Sequence, residues 1–316
     1  MDVGLFTAIF HKRPFEETLD LVRDAGVTAL QLAVNGPHCN ADALLSDDAQ
    51  LAAFRRAIDS RGLYIDTLAC HGNGLHPNQE IAKSQQQRFR TAVLLAEKLG
   101  VDTIVDFSGC PGGNETDTTP NWVTCPWPTD FSNILTWQWD AKLIPYWKEH
   151  GGFARQHGIR VAIELHPGFC VYSPENMLRL REAVGDVMGA NFDPSHLFWQ
   201  GVDNVHAIRY LGDAIYSFHA KDTGIDEQNT KRFGVLDTKS YADVTHRAWV
   251  FRTVGYGHGE ETWRNIISAL RLVGFKKALV IEHEDALMSQ VEGFRRAADL
   301  LNRLTMREDP AEVTWA

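Results

Sequence analysis

Short apolar runs alternate with longer segments of helical periodicity along most of the chain. The apolar runs, rich in Val, Ile, Leu and Phe, predict strands at Asp2–Ile9, Thr28–Val34, Leu63–Cys70, Asp102–Phe107, Arg160–Leu165, Val187–Phe192, Ala214–Ala220 and Lys277–Glu282. The periodic segments predict helices at Phe15–Ala25, Asp47–Ser60, Gln86–Leu99, Trp137–His157, Pro174–Ala183, Val205–Leu211, Glu260–Leu272 and Ser289–Leu304. This alternation of strand and helix predicts a parallel sheet covered by helices.

Eight strand–helix units favour a (β/α)8 TIM barrel, because a closed barrel is the economical arrangement of eight parallel strands. The 316 residues exceed the usual barrel length of about 250. Two insertions account for the excess, residues 108–136 after the fourth strand and 223–259 after the seventh. We therefore predict one TIM-barrel domain over residues 1–316. An open doubly wound sheet is the alternative, but no glycine-rich phosphate loop follows the first strand.

Composition and charge limit which partners the protein is expected to bind and in which compartment it is expected to occur. The formal net charge of −10 argues against nucleic acid or an anionic membrane as the main partner. The five cysteines are widely spaced and form no Cys-x-x-Cys motif, which fits reduced thiols in a cytoplasmic protein. We expect neither a signal peptide nor a membrane-spanning helix, since no long apolar run occurs.

Ionisable residues stand at the ends of four consecutive predicted strands, the fifth to the eighth. They are Glu164, Asp193, His219 and Glu282. Barrel enzymes place their active residues at these carboxyl ends, so the four side chains are expected to converge. Three carboxylates in a partly dry pocket would repel one another and be costly to desolvate without a cation. The sequence therefore predicts a divalent metal, with manganese or magnesium favoured by the mixed oxygen and nitrogen ligands, and cobalt or zinc as alternatives.

Further basic side chains lie close to the predicted ligands in sequence. His166 follows Glu164 by two residues, so in an extended strand it points to the same side. Lys221 follows the histidine ligand by two residues and is a candidate to orient an oxyanion. His71 and His11 follow the third and the first strand. Imidazoles titrate near neutral pH, which suits acid–base chemistry, although packing is an equal alternative for each single histidine other than His166.

Five segments of the second half resemble the sugar phosphate isomerase/epimerase family, the xylose isomerase-like barrels. They are VAIELHPG, ANFDPSHLFWQG, SFHAKDT, VGYGHGE and VIEHED. The resemblance implies a metal held by the same four residues. It also implies that Glu164 and Glu282 are catalytic, transferring protons across a metal-stabilised enediolate. The motifs are specific for the fold and the metal, and much less so for the substrate.

The same resemblance adds residues that would contact the substrate. His196 stands three residues after the aspartate ligand, as in the family's Asp-x-x-His arrangement, and is expected to touch substrate or a water on the metal. Arg252 precedes the Gly-x-Gly loop, a place from which an arginine of the family reaches the active site. Trp122, in the tryptophan-rich first insertion, can cover a sugar face, with a packed loop or a subunit interface as the equal alternative.

The resemblance implies a divalent-metal-dependent sugar isomerase or epimerase that abstracts a proton next to a keto-sugar carbonyl. A lyase or hydratase acting by β-elimination on 3-keto-glycosides is the alternative, because His166 beside Glu164 supplies an additional acid–base group. A non-catalytic sugar-binding barrel is the third. The related DNA-repair endonucleases fit poorly, since the chain is acidic. An unphosphorylated sugar is favoured, and pairing into a homo-oligomer is expected.

Overall fold

Eight parallel strands close into a barrel in the computed structural model, which describes residues 1–308. The barrel strands are β1 Val3–Phe6, β2 Ala29–Ala33, β3 Tyr64–Ala69, β4 Thr103–Phe107, β5 Arg160–Glu164, β6 Met188–Phe192, β7 Ile215–Ala220 and, last in the chain, β10 Leu279–Ile281. Neighbours follow chain order, and β10 closes the barrel by pairing with β7 and β1. The predicted (β/α)8 barrel is confirmed. The part of the predicted domain at 309–316 lies outside the described residues.

The helices of the strand–helix units pack on the outside of the barrel. Those of the regular units are α1 Phe15–Asp24, α2 Ala41–Ser46, α3 Asp48–Asp59, α4 Gln79–Leu99, α6 Ile144–Gln156, α7 Pro174–Val184, α8 Pro194–Phe198, α9 Asn204–Leu211, α11 Glu260–Leu272 and α12 Gln290–Leu304. Helix α4 starts well before the predicted Gln86, because the Asn78 side chain accepts hydrogen bonds from the backbone of Glu80 and Ile81 and so caps it. Gly100 ends this helix in the left-handed conformation, with φ of 75°.

Both insertions lie where they were predicted, after the fourth and seventh strands, but neither is irregular throughout. The first contains α5 Thr129–Trp137, which continues through a π-helical segment, Gln138–Leu143, into α6. The second contains the antiparallel hairpin of β8 Asp222–Ile225 and β9 Trp249–Arg252, with α10 Glu227–Phe233 between them. Helix α5 fully buries none of its residues. The hairpin strands are far apart in sequence, so no two-residue turn signals their pairing.

The first strand is shorter than predicted. It ends at Phe6, and Thr7–Phe10 form a 3-10 turn instead of the second half of the predicted strand Asp2–Ile9. The side chains of Thr7, Ile9 and Phe10 are buried in this turn. An apolar run of this kind does not distinguish a strand from a buried turn. Here the strand stops at Phe6, where it reaches the carboxyl end of the barrel.

Mostly small side chains fill the interior of the barrel. Seven strands and the residue before β10 contribute to one buried cluster, which consists of Phe6, Ala29, Ala69, Val105, Ala162, Tyr216, Ala278 and Val280. Because side chains alternate along a strand, residues two positions after these point to the same interior. Glu164 follows Ala162 in this way, and Glu282 follows Val280. The packed interior thus forms a floor beneath the carboxyl end. In the described part of the chain, no helix is both long and apolar enough to span a membrane.

Candidate metal centre

The four predicted ligands converge at the carboxyl end of the barrel. Glu164 ends β5, His219 lies in β7, Asp193 follows β6 and Glu282 follows β10. One ligand atom of each residue lies within 4.8 Å of those of the other three. Asp193 and His219 have no exposed surface, and Glu164 is 2% exposed. The arrangement brings three carboxylates and one imidazole into one largely dry space.

The imidazole of His219 is held in one orientation. Its Nε2 atom lies 2.8 Å from Oε1 of the buried Gln31, whose Nε2 donates to Thr67 Oγ1 at 2.9 Å. Since Gln31 Oε1 can only accept, Nε2 of His219 carries a proton. Burial lowers the pKa of His219, but Glu282 and Glu164 outweigh it and raise the pKa to about 10, so a cation would displace a second proton from Nδ1. That Nδ1 atom lies 3.3 Å from Glu164 Oε2 and 3.0 Å from Glu282 Oε2. The ring is therefore set to bind a cation between the two glutamates.

Several polar atoms at the centre lack hydrogen-bond partners. Asp193 Oδ1 accepts from the backbone of Ser195 at 2.8 Å, which fixes the carboxylate. Its Oδ2 makes no hydrogen bond, although the Lys221 ammonium lies 3.2 Å away. Nδ1 of His219 and Nε2 of His196 are also buried without a partner. Buried polar atoms are normally satisfied, and each one left alone is costly. Carboxylate oxygens and imidazole nitrogens are ligands for divalent cations, so the residues present fit the predicted metal.

Negative charge exceeds positive charge at this end of the barrel. The ammonium of Lys221 lies 3.2 Å from Asp193 Oδ2, 2.9 Å from Glu282 Oε2 and 3.1 Å from Glu284 Oε2. Burial alone would lower the pKa of Lys221, but these carboxylates and Glu164 outweigh it and raise the pKa well above its usual range. The lysine therefore stays charged and partly neutralises four carboxylates.

Three histidines surround Glu164. Nε2 of His71 lies 2.9 Å from Glu164 Oε2, and Nε2 of His196 lies 3.4 Å from Glu164 Oε1. His166 packs against His196 with ring centroids 4.1 Å apart. Burial and the neighbouring His196 lower the pKa of His166 to about 3, so this ring is neutral at physiological pH. A neutral imidazole can accept a proton or bind a cation.

Phenylalanines enclose these histidines. Phe107 contacts His71 and His166, with ring centroids 4.6 Å and 4.9 Å apart. Phe251, from the hairpin of the second insertion, meets His196 edge-on at 5.4 Å and lies under the ammonium of Lys221 at 4.7 Å. Apolar walls lower the local dielectric and strengthen every charge interaction inside the site.

Three residues that were predicted to bind the substrate make no contact with the four predicted metal ligands. His11 is exposed, and its Nδ1 lies 3.3 Å from the backbone oxygen of Ala8. Arg252 pairs with Asp285 at 3.1 Å. Trp122 packs edge-on against Tyr172 at 5.4 Å, and its buried indole N–H has no partner. Among residues 1–308, no hydrogen bond, ion pair or ring contact joins these three to the four ligands, and their roles stay predictions.

Sequence reasoning missed residues that support the ligands. Gln31 orients His219, and Asn191 Nδ2 donates to Glu164 Oε2 at 3.2 Å. Both are polar residues without exposed surface in otherwise apolar barrel strands. A polar side chain inside such a strand is the signal that could have identified them, since it needs a buried partner.

Comparisons with known proteins agree with the fold. A model of the family described as xylose isomerase-like TIM barrel matches residues 19–304. The uncharacterized protein YfiH of Bacillus subtilis is 36% identical over 297 residues, which cover 92% of this chain and 95% of YfiH.

Solved structures resemble the chain at low sequence identity. A D-psicose 3-epimerase, solved in the presence of D-fructose, superposes with a TM-score of 0.63 at 16% identity, covering 96% of this chain and 99% of the epimerase. The probable 3-DHS dehydratase AsbF of Bacillus anthracis superposes with a TM-score of 0.67 at 14% identity, with coverage of 96% and 99%. At these sequence identities the structural similarity shows a shared fold and nothing more.

Proposed function

The chain belongs to the xylose isomerase-like TIM barrel family, and from this we propose that it is a divalent-metal-dependent isomerase or epimerase of a keto sugar. The observation that carries the proposal is the convergence of Glu164, Asp193, His219 and Glu282 in one buried space, where Asp193 Oδ2 and His219 Nδ1 make no hydrogen bond. Manganese is the preferred ion, with magnesium, cobalt or zinc as alternatives. The reaction begins with removal of the proton next to the sugar carbonyl.

In this proposal Glu164 and Glu282 are the proton-transferring residues. Their Oε2 atoms lie 3.3 Å and 3.0 Å from His219 Nδ1, respectively. His71 and Asn191 hold Glu164 Oε2, and Lys221 holds Glu282 Oε2, so both carboxylates are fixed in direction. One glutamate takes the proton from the substrate carbon and the other returns a proton to the opposite face. A cation held by the four residues would stabilise the negative charge that develops on the carbonyl oxygen.

The charges of the site favour an unphosphorylated sugar. The ammonium of Lys221 is engaged with three carboxylates, and the guanidinium of Arg252 is paired with Asp285. Among the described side chains of the cluster, no cation is left to pair with a phosphate group. A neutral sugar needs only hydrogen bonds and apolar contact, which the histidines and phenylalanines offer. The D-psicose 3-epimerase structure obtained with D-fructose is consistent with this class.

Hydrogen exchange tests the proposal directly. The full chain with Mn²⁺ is incubated with D-fructose or D-psicose in deuterated water, and carbon-bound deuterium and sugar products are measured by NMR and chromatography. We expect deuterium incorporation with conversion of one sugar into its isomer. Glu282→Gln should abolish it, whereas Asp102→Asn, at the opposite end of the barrel, should not. Absence of exchange with a panel of ketoses would refute the isomerase and leave the lyase or a non-catalytic sugar-binding barrel.

A lyase or hydratase acting on 3-keto-glycosides is the second candidate. His166 lies beside Glu164, and its neutral ring offers a lone pair as a proton acceptor, although burial lowers its pKa to about 3 and so weakens it as a base. β-Elimination would use such an acceptor for the proton next to the carbonyl. A 3-keto-glucoside with a chromogenic aglycone separates the two candidates. Release of the aglycone supports the lyase, and exchange without release supports the isomerase.

A further inference from the structure

We infer that the protein binds a second divalent cation between Glu164, His166 and His196, next to the four-residue centre. One ligand atom of each of the three lies within 4.8 Å of those of the other two. Two imidazoles and a carboxylate suit manganese, cobalt, zinc or iron(II). The inference rests on the proposed function in one respect, since Glu164 also belongs to the first centre.

The two oxygens of Glu164 face two different nitrogen ligands. Oε2 lies 3.3 Å from His219 Nδ1, whereas Oε1 lies 3.4 Å from His196 Nε2. In two-metal sites the cations lie about 3.5–4 Å apart. A carboxylate whose oxygens diverge toward two imidazoles can serve both cations. Glu164 is therefore placed to bridge the two centres.

The two histidines present free nitrogens to this space. Nδ1 of His166 lies 2.6 Å from the backbone oxygen of Pro167, which can only accept, so Nδ1 carries the proton and Nε2 keeps its lone pair. His196 is 2% exposed, and its buried Nε2 makes no hydrogen bond but lies 3.4 Å from both Glu164 Oε1 and Asp193 Oδ2. An imidazole nitrogen aimed into a closed space without a partner is explained by a ligand that it binds.

The charge of the site can support a second cation. Glu164, Asp193, Glu282 and Glu284 supply four negative charges, and Lys221 supplies one positive charge. One divalent cation at the first centre leaves a single negative charge, so a further cation is still attracted. Three protein ligands would leave coordination positions open at the second centre, where a second sugar oxygen can bind.

Counting bound manganese tests the inference. The full chain is treated with a chelator, dialysed and titrated with Mn²⁺ alone by calorimetry, and bound metal is measured by mass spectrometry. We expect two Mn²⁺ per wild-type chain and one per chain of His166→Asn. Asp102→Asn is the control, because Asp102 lies at the opposite end of the barrel and pairs with Lys277 and Arg160 there. This control should still bind two Mn²⁺ ions per chain. Its frozen-solution electron paramagnetic resonance spectrum should show the broadening of a coupled Mn²⁺ pair, as in the wild type.

The outcomes separate this inference from the proposed function. One Mn²⁺ per chain in both wild type and His166→Asn overturns the second centre and leaves the first intact. No bound Mn²⁺ in the wild type overturns both. If circular dichroism shows that His166→Asn is unfolded, His166→Asp, which keeps a ligand oxygen, takes its place and should retain two. A wild-type spectrum without coupling at two equivalents also overturns the inference.

Discussion

The two ends of the barrel differ in how far their charged side chains neutralise one another. At the amino end, Asp102 lies 2.6 Å from Lys277 and 2.7 Å from Arg160, and the buried Asp66 lies 4.0 Å from Lys277, so two cations face two carboxylates. Asp66 is buried, and the other three side chains are between 24% and 52% exposed. At the carboxyl end, four carboxylates share the single ammonium of Lys221, and most of these side chains are buried. One end is neutralised by its own residues, and the other is not.

The difference separates a structural charge cluster from a candidate binding site. Partly exposed ion pairs contribute little to stability, because water already solvates each partner. Buried carboxylates without enough partners are costly and persist only where a cation or a substrate compensates. The imbalance at the carboxyl end therefore marks the functional end of the barrel, and perturbing the two ends should have different consequences.

The largest expected effect is the loss of catalysis in Glu282→Gln. Removing a group that transfers protons lowers rates by about 10²–10⁴-fold, so exchange into the sugar should fall about 10³-fold. The measurement is the initial rate of deuterium incorporation with Mn²⁺ present. Asp102→Asn should keep nearly the full rate. Equal losses in both variants would contradict the distinction between the two ends.

Stabilisation by manganese is the second effect. At a concentration of Mn²⁺ one hundred times its dissociation constant, binding should raise the free energy of unfolding by about 2.7 kcal/mol. The measurement is denaturant unfolding of chelator-treated protein with and without Mn²⁺. Mn²⁺ should raise the free energy of unfolding of Asp102→Asn as much as that of the wild type. It should raise that of Asp193→Asn much less. A gain in Asp193→Asn equal to that of the wild type would place the bound ion elsewhere.

The third effect concerns the orientation of His219 by Gln31. Partners that hold a metal-binding histidine typically contribute about 10–100-fold to affinity. Gln31→Met removes the acceptor that fixes the proton on Nε2, so the dissociation constant for Mn²⁺ should rise by about that factor. Gln31→Glu, which keeps an acceptor, is the conservative control and should bind more tightly than Gln31→Met. Unchanged affinity in Gln31→Met would mean that packing alone orients His219.

The smallest effect is expected at the amino end. Asp102→Asn breaks the pairs with Lys277 and Arg160, and exposed pairs of this kind contribute about 0–1 kcal/mol. The free energy of unfolding should fall by no more than this, and the difference should shrink in 1 M salt because salt screens exposed charges. A loss of several kcal/mol that persists in salt would show that these charges are as strongly coupled as those of the carboxyl end.

The convergence of the four proposed metal ligands could be predicted because strand periodicity and position along a strand are properties of the local sequence. Glu164 and Glu282 stand directly after apolar runs, and any parallel barrel brings such strand ends to one edge. The approach of His166, His196 and Lys221 to this edge also followed from their short spacing to the ligands. These residues now surround the carboxylates at hydrogen-bonding or ring-contact distances.

Contacts between distant segments could not be predicted. Gln31 reaches His219 across 188 positions of sequence, and no local pattern links the two. Arg252 and Phe251 both lie in a hairpin whose strands are separated by more than twenty residues, and only its folding directs Phe251 to His196 and Arg252 to Asp285.

The sequence by itself determined the barrel, the places of its insertions and the residues that end its strands, because these depend on periodicity and chain order. The tertiary structure decided which atoms of those residues remain without partners. Hydrogen bonds from Gln31 and Pro167 assign the protons of His219 and His166, and the two oxygens of Glu164 turn to different nitrogens. Such choices depend on distances and directions between strands, which a sequence pattern does not contain.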